Sequence, residues 1–369
     1  MRIALYNLTT TTKSGGIETF NWELGKALAA RGHRVDLFGG IGAKARPGQD
    51  GLSVRLYPFL ARERIPNLGT RFRKFAERLS FALFAVRDLA GGRYDFIYVS
   101  KPFDIPAALF SSRMSHARVI YGSGGTEFFP LYGSLVKKVD HFFACSAFNA
   151  SQIEEYCGVR PRVLYNGVNT DLFRPLPPDE TLRSAVGLGR DDFVLMSACR
   201  LVGWKGIQFA LKALQKILRK GLAVQYVIIG DGEYRGDLEA LSVRLGIAER
   251  VRFTGSVDNG LLPNYYSLAG AAVFPSIANE TFGISIAEAM ACGIPVLSTT
   301  VGGIPEVVGN AGILLPPADE GVLADALESF IANPDMRKET GARGRERVAQ
   351  RFGWDVIVNT FENYLGIKG

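Results

Sequence analysis

Glu280 and Glu288, eight residues apart, are the pair best placed by type and spacing to do chemistry. Glu288 falls in the apolar run Ile284 to Cys292, where an ionised carboxylate without partners is costly. It therefore demands donors: the hydroxyls of a ribose, or a basic neighbour in a structural salt bridge. A helix expected to start near Phe282 and end at Gly293 carries Glu288 about two turns inside. The first amides of that helix, around Phe282, Gly283 and Ile284, can meet a phosphate. Arg200 and Lys205 lie on a second loop, Cys199 to Gly206. There a guanidinium fork and an ammonium point charge can clamp a diphosphate; the alternative is two solvated surface cations. The paired Gly15 and Gly16 would let backbone approach a phosphate ahead of a helix, or would only form a tight turn. Without the full GxGxxG spacing or a GKS/T sequence, neither a dinucleotide site nor a P-loop is the first reading.

These loops need strands before them. Short apolar β-type runs alternate with helical patterns along the whole chain, the signature of buried parallel strands joined by crossover helices. In the first half the strands are expected at 3–6, 34–38, 53–57, 96–99, 118–121, 141–144 and 162–165. In the second they are expected at 193–198, 224–229, 251–254, 272–275, 295–298 and 312–314. The fold class is α/β, with two doubly wound sheets. The stretch Phe173 to Glu180, with Pro175, Pro177 and Pro178, marks the joint. Ligands of such sheets bind beyond the carboxyl ends of the strands, where every candidate residue above lies.

The 369 residues suit two domains, and 47% apolar with 21% charged residues exclude a disordered or fibrous chain. No apolar run approaches the roughly 18 residues of a membrane span, and the start of the chain reads as a strand rather than a leader, so a cytoplasmic protein is expected. Cys145, Cys157, Cys199 and Cys292, with His33, His116 and His141, show no metal-ligand spacing, so no metal and no disulfide scaffold are expected. The net charge of +7 is uneven: residues 1–171 carry +9 and the remainder −2. A basic half suits an anionic partner. Much of its charge lies in Arg55 to Arg78, where Phe72, Phe75, Leu79 and Phe84 alternate with cations. That amphipathic stretch can lie on an anionic membrane, or present a solvated basic face with its apolar side packed inward.

The segment Glu280 to Glu288 resembles the E-x7-E signature of retaining GT-B glycosyltransferases, specifically glycosyltransferase family 4. The resemblance runs through Gly15-Gly16, Arg31-Gly32-His33, Asn166-Gly167-Val168, Phe173-Arg174-Pro175, Arg200, Lys205-Gly206 and Gly230-Asp231-Gly232, and ends in Gly302-Gly303-Ile304-Pro305-Glu306. It implies two Rossmann-like domains facing across a cleft: residues 1–172 for the acceptor, and 173–353 for the nucleotide sugar. A last helix, 354–369, packs back on the first domain. Glu288 would hold the ribose, Arg200 and Lys205 the diphosphate, and the backbone of Ser256 and Val257 the base. Glu280, with the backbone of Phe282, Gly283 and Ile284, would hold the donor sugar, and Gly16 would cover the phosphates.

The implied activity is retaining, metal-independent transfer from a nucleotide sugar, UDP- or GDP-linked, to a glycan or lipid-linked acceptor. The setting would be cell-surface polysaccharide or glycolipid assembly, peripheral on the cytoplasmic face of a membrane. No cofactor beyond the nucleotide-sugar co-substrate is implied. One departure stands out. Where many members have a His-Gly pair after an N-domain strand, this sequence has Gly122-Ser123-Gly124-Gly125-Thr126-Glu127, with Gly124 at the histidine position. Ser123, Gly124, Thr126 and Glu127 become candidates for the sugar and acceptor contacts, a structural turn being the alternative. A sugar-nucleotide epimerase of the same fold is the alternative enzyme. A nucleic-acid-binding protein using the basic half is a weaker one, and no nucleic acid is expected as partner.

Overall fold

A computed structural model gives the fold and describes residues 1–13, 15–278 and 280–367. Ser14 of the first glycine loop, Asn279 beside Glu280, and Lys368 and Gly369 of the last helical stretch lie outside the described residues. The chain divides into two compact units, Met1–Gly167 with Trp354–Gly369, and Val168–Gly353.

In the first unit, strands β1 (Arg2–Tyr6), β2 (Arg34–Gly40), β3 (Leu52–Tyr57), β4 (Phe96–Val99), β5 (Arg118–Ser123), β6 (His141–Ala144) and β7 (Arg162–Val163) form a parallel sheet. Its order is β3-β2-β1-β4-β5-β6-β7. Alternation of side chains divides β1 between two cores. Ile3 and Leu5 pack with Phe20 and Leu24 of the Gly16–Ala30 helix and with Phe361. Ala4 and Tyr6 pack on the other face with Phe81, Ala85 and Ile105. Both faces are thus covered, which is why these strands read as continuous apolar runs. The Trp354–Leu365 helix buries Ile357, Val358, Phe361 and Leu365 in this unit. Glu362 meets the His33 ring at 2.9 Å, and Trp354 lies 5.4 Å from the Phe20 ring centre.

The second unit repeats the plan with β8 (Phe193–Ala198), β9 (Val224–Ile229), β10 (Val251–Gly255), β11 (Ala271–Phe274), β12 (Val296–Thr299) and β13 (Ile313–Leu315). Their order is β10-β9-β8-β11-β12-β13, again all parallel. Leu211 and Leu214 of one crossover helix and Leu323 and Leu327 of another cover one face. All thirteen expected strands are present, with ends shifted by one or two residues, and the fold is two Rossmann-like α/β sheets. In each sheet the chain reverses its winding beside the first strand: β1 lies between β2 and β4, and β8 between β9 and β11. Such a switch point leaves a crevice at the carboxyl ends, because the connections leave on opposite sides. No described helix is long and apolar enough to cross a membrane.

Candidate functional site

The second unit's switch point gathers most of the candidate residues. The loop after β8 carries Arg200 and, in a short 3-10 turn, Lys205. Gly206 follows with φ +75°, and a Cβ there would fall 1.8 Å from the Pro275 carbonyl oxygen just beyond β11. Only glycine lets these two strand-end loops approach so closely. The approach brings Lys205 Nζ into an ion pair with the Glu280 carboxylate, with both side chains largely buried. Lys205 also lies 4.7 Å from the Trp204 ring centre. Two residues assigned from sequence to different parts of a ligand therefore neutralise each other. Arg200 is exposed and has no ion-pair partner among the described residues. Burial first, with Glu280 adding to it against the opposing pull of Lys205, pushes the thiol of Cys199, beside this pair, up to about 11.

Glu288 lies on the Ile284–Ala291 helix, which begins later than expected. Gly283 ends the loop with φ +94°, a left-handed turn that sets the first helical residue at Ile284. Glu288 is consequently one turn inside rather than two. Phe282 is core, 1% exposed, with its ring edge-on to Phe352 at 5.4 Å. The amides of Ile284 and Ser285 fall in the first turn, which has no intrahelical acceptors for them.

The Glu288 carboxyl is 5% exposed and forms no salt bridge among the described residues. Asn259 Nδ2 donates to its Oε1 at 3.2 Å, the one hydrogen bond of this carboxyl among the described residues. Burial pushes its pKa up to about 7, partly offset by that bond. Asn259 was missed in the sequence, although Asp258-Asn259-Gly260 has the composition of a turn. The Asp258 carboxylate accepts from the Gly260 amide at 2.9 Å and shapes the turn. The same turn brings Ser256, exposed, and Val257, half-buried, into the segment that reaches Glu288. Asn259→Ala should cost about 1 kcal/mol of stability and move the Glu288 titration above 7, as read from its carboxyl chemical shift by NMR.

The first unit's candidates gather at its own switch point. Gly15 and Gly16 begin the Gly16–Ala30 helix, and Glu18 in its first turn accepts a hydrogen bond from Thr9 Oγ1 at 2.6 Å. Gly124 lies against Ile17, where a Cβ would be 3.1 Å from that side chain, so the two glycine loops adjoin. Ser123 is buried and donates to the Gly125 carbonyl at 2.9 Å, and Thr126 is exposed.

Glu127 is the electrostatic centre of this group. It pairs with Lys74 of the Thr70–Gly91 helix and, at 3.5 Å, with Lys101 beyond β4. Burial raises the Glu127 pKa, but Lys101, Lys74 and Arg78 together outweigh it and hold the carboxyl below its usual range. Lys101 is held below the usual lysine range, by burial first, with Glu127 opposing.

The basic segment is far less free than its composition suggests. Arg55 pairs with Asp36 at 3.3 Å and Arg62 with Glu77 at 2.6 Å, Lys74 is held by Glu127, and Arg78 forms a buried pair with Asp104. Arg73 donates to the Ile65 carbonyl at 2.9 Å. The reading of a solvated basic face with its apolar side inward is corrected, because Phe72, Phe75, Leu79 and Phe84 are themselves exposed. Among the described residues no three His, Cys, Asp or Glu side chains form a cluster able to hold a metal ion.

Comparison with known proteins agrees with the fold of two Rossmann-like sheets. Residues 14–172 match Glycosyltransferase Family 4, and residues 178–347 match Glycosyl transferases group 1. The chain is 30% identical over 282 residues to the GDP-mannose-dependent alpha-(1-6)-phosphatidylinositol monomannoside mannosyltransferase of Mycobacterium tuberculosis. That alignment covers 70% of this chain and 73% of the relative. The chain spans only about half the length of two other curated glycosyltransferases that it matches, 56% of one from Methanocaldococcus jannaschii and 51% of one from Streptomyces bingchenggensis. Among solved structures, sucrose-phosphate synthase from Thermosynechococcus elongatus superposes with a TM-score of 0.84 at 23% identity, covering 99% and 98% of the two chains. Anabaena HepE in complex with UDP-glucose gives 0.82 at 22% identity, covering 99% of each. These structures share the GT-B fold. By the family matches over both units, the chain belongs to glycosyltransferase family 4.

Proposed function

We propose that the chain is a retaining, metal-independent glycosyltransferase that moves a sugar from a UDP- or GDP-sugar to a glycan or lipid-linked acceptor. Its setting is cell-surface polysaccharide or glycolipid assembly, with the protein peripheral on the cytoplasmic face of a membrane. The observation that carries the reading is Glu288: a buried carboxyl at a switch point with, among the described residues, one donor and no cation. Two vicinal ribose hydroxyls supply the donors it lacks. The choice of bases follows the printed substrates of similar proteins, GDP-mannose for the mycobacterial relative and UDP-glucose for HepE. The lipid-linked acceptor follows the phosphatidylinositol monomannoside in the former's name.

In the reaction the bond from the anomeric carbon to the β-phosphate oxygen breaks, and a bond to the acceptor oxygen forms on the same face. The acceptor proton passes to the departing phosphate oxygen. Negative charge grows on the phosphate, so Arg200, Lys205 and the first amides of the Ile284–Ala291 helix contribute most in the transition state. Glu280 positions the donor sugar. Its ion pair with Lys205 holds the carboxylate in a fixed place, as positioning requires. In the first unit, the Ser123–Glu127 loop serves the sugar and the acceptor, and Gly15 and Gly16 serve the phosphates of the donor. Charge stabilisation by Arg200 and Lys205 takes the place of a metal ion.

A thermal-shift screen in EDTA tests the reading. A nucleotide at 100 times its Kd stabilises the fold by about 2.7 kcal/mol, so UDP or GDP, but not CMP, should raise Tm without metal. No shift with any nucleoside diphosphate overturns the donor site, and a shift that requires magnesium overturns metal independence.

A further inference from the structure

The Thr70–Gly91 helix is apolar on two faces. One packs inward through Phe81, Ala85 and Leu89, beside the charged Glu77 and Arg78. On the opposite side Phe72, Phe75, Leu79 and Leu83, spaced 3, 4 and 4 residues apart, form one ridge along the axis, and they are 43%, 45%, 49% and 72% exposed. On the adjacent Ile105–Ser115 helix Phe110 and Met114 are exposed too. Isolated exposed apolar residues are ordinary, whereas a contiguous ridge marks an interaction surface.

Charge selects the partner. The helix has two acids, and both face elsewhere: Glu77 is buried against Arg62, and Asp88 accepts the Tyr57 hydroxyl at 2.8 Å. Arg71 and Arg87 are exposed and flank the ridge on its two margins by helical geometry. An isologous contact with a second copy would offer these arginines no acid of the partner's ridge, because both acids of the helix are engaged elsewhere. An anionic bilayer accepts both features, the ridge among acyl chains and the arginines among headgroups.

We propose that this ridge inserts into the interface of an anionic lipid bilayer, and that apolar insertion rather than the basic cluster supplies most of the attachment. The proposal deepens the membrane element of the proposed function and rests on that reading only for its biological setting. It corrects the weight given to Arg62, Lys74 and Arg78, whose charges are spent inside the protein.

Sedimentation with phosphatidylglycerol and phosphatidylcholine vesicles tests it, with the UDP or GDP thermal shift measured in parallel. The wild type should bind phosphatidylglycerol vesicles and keep part of that binding in 0.5 M salt. Phe72→Ser with Phe75→Ser and Leu79→Ser should lower vesicle binding at least tenfold while Tm and nucleotide shift stay near wild type. Arg71→Gln with Arg87→Gln should remove only the salt-sensitive part. Unchanged binding in the apolar variant, or no wild-type binding to anionic vesicles, overturns the proposal. Concentration-dependent dimerisation abolished by the apolar variant, without vesicle binding, assigns the ridge to a second copy instead. Failure of the vesicle arm with an intact nucleotide shift leaves the transferase reading standing, and loss of the shift alone sinks that reading without touching the ridge.

Discussion

Replacing Arg200 and Lys205 together with alanine is expected to lower kcat by about 10²- to 10⁴-fold. Each charge-assisted hydrogen bond to the leaving phosphate contributes about 1.5–3 kcal/mol, and each 1.4 kcal/mol is about tenfold in rate. The two single variants should differ in a way the structure dictates. Arg200 is exposed and holds no ion pair among the described residues, so Arg200→Ala should lose about 10- to 100-fold in kcat with Tm unchanged. Lys205→Ala also strands the Glu280 carboxylate, whose side chain is only 12% exposed, and an unpaired buried charge costs stability. That variant should lose both turnover and Tm. Because both groups act on one diphosphate, the losses need not add. Steady-state release of the nucleoside diphosphate, measured beside thermal melting, separates the two effects. Full turnover in Arg200→Ala would place the diphosphate elsewhere.

The strands and both switch-point loops were legible because parallel strands covered on both faces must be apolar throughout, and such runs survive in a single sequence. Ile3 to Tyr6 and Phe193 to Ala198 are of this kind. Pairings between distant segments were not legible. Nothing in the sequence joins Lys205 to Glu280, or Lys74 to Glu127, because those contacts follow from how the connections pack after β5, β8 and β11. The later start of the Glu288 helix depends on the left-handed turn at Gly283, which glycine permits but does not announce. The orientation of the Thr70–Gly91 helix was hidden for a different reason. With apolar residues on two faces, periodicity defines both stripes and does not say which one is buried. The buried stripe is the one that also carries Glu77 and Arg78, paired with Arg62 and Asp104, and the ridge from Phe72 to Leu83 is left outside.

Glu288→Gln is expected to make the free protein more stable at pH 8 and its nucleotide binding weaker. The folded pKa of about 7 lies above the ordinary 4.5 because burial disfavours the charged form, with Asn259 as the opposing donor. Between those two values the folded chain keeps a proton that the unfolded chain has released, so stability falls as pH rises through the window. Above pH 7 the full penalty applies, on the order of 3 kcal/mol, and the isosteric amide does not carry it. The variant's gain in Tm over wild type should therefore be small at pH 5 and largest at pH 8. Neighbouring groups do not confuse the reading: burial holds Tyr266 well above its usual range and pushes Cys292 up to about 12. Ribose hydroxyls favour the ionised acceptor, so binding should lower the Glu288 pKa and release a proton below pH 7. Nucleotide affinity should then rise from pH 5.5 to about 7 and flatten beyond it. Calorimetric titration in buffers of different ionisation enthalpy measures that proton directly. A pH-independent affinity in wild type, or an unchanged affinity in Glu288→Gln, would remove the ribose from this carboxylate and leave its burial without a ligand to explain it.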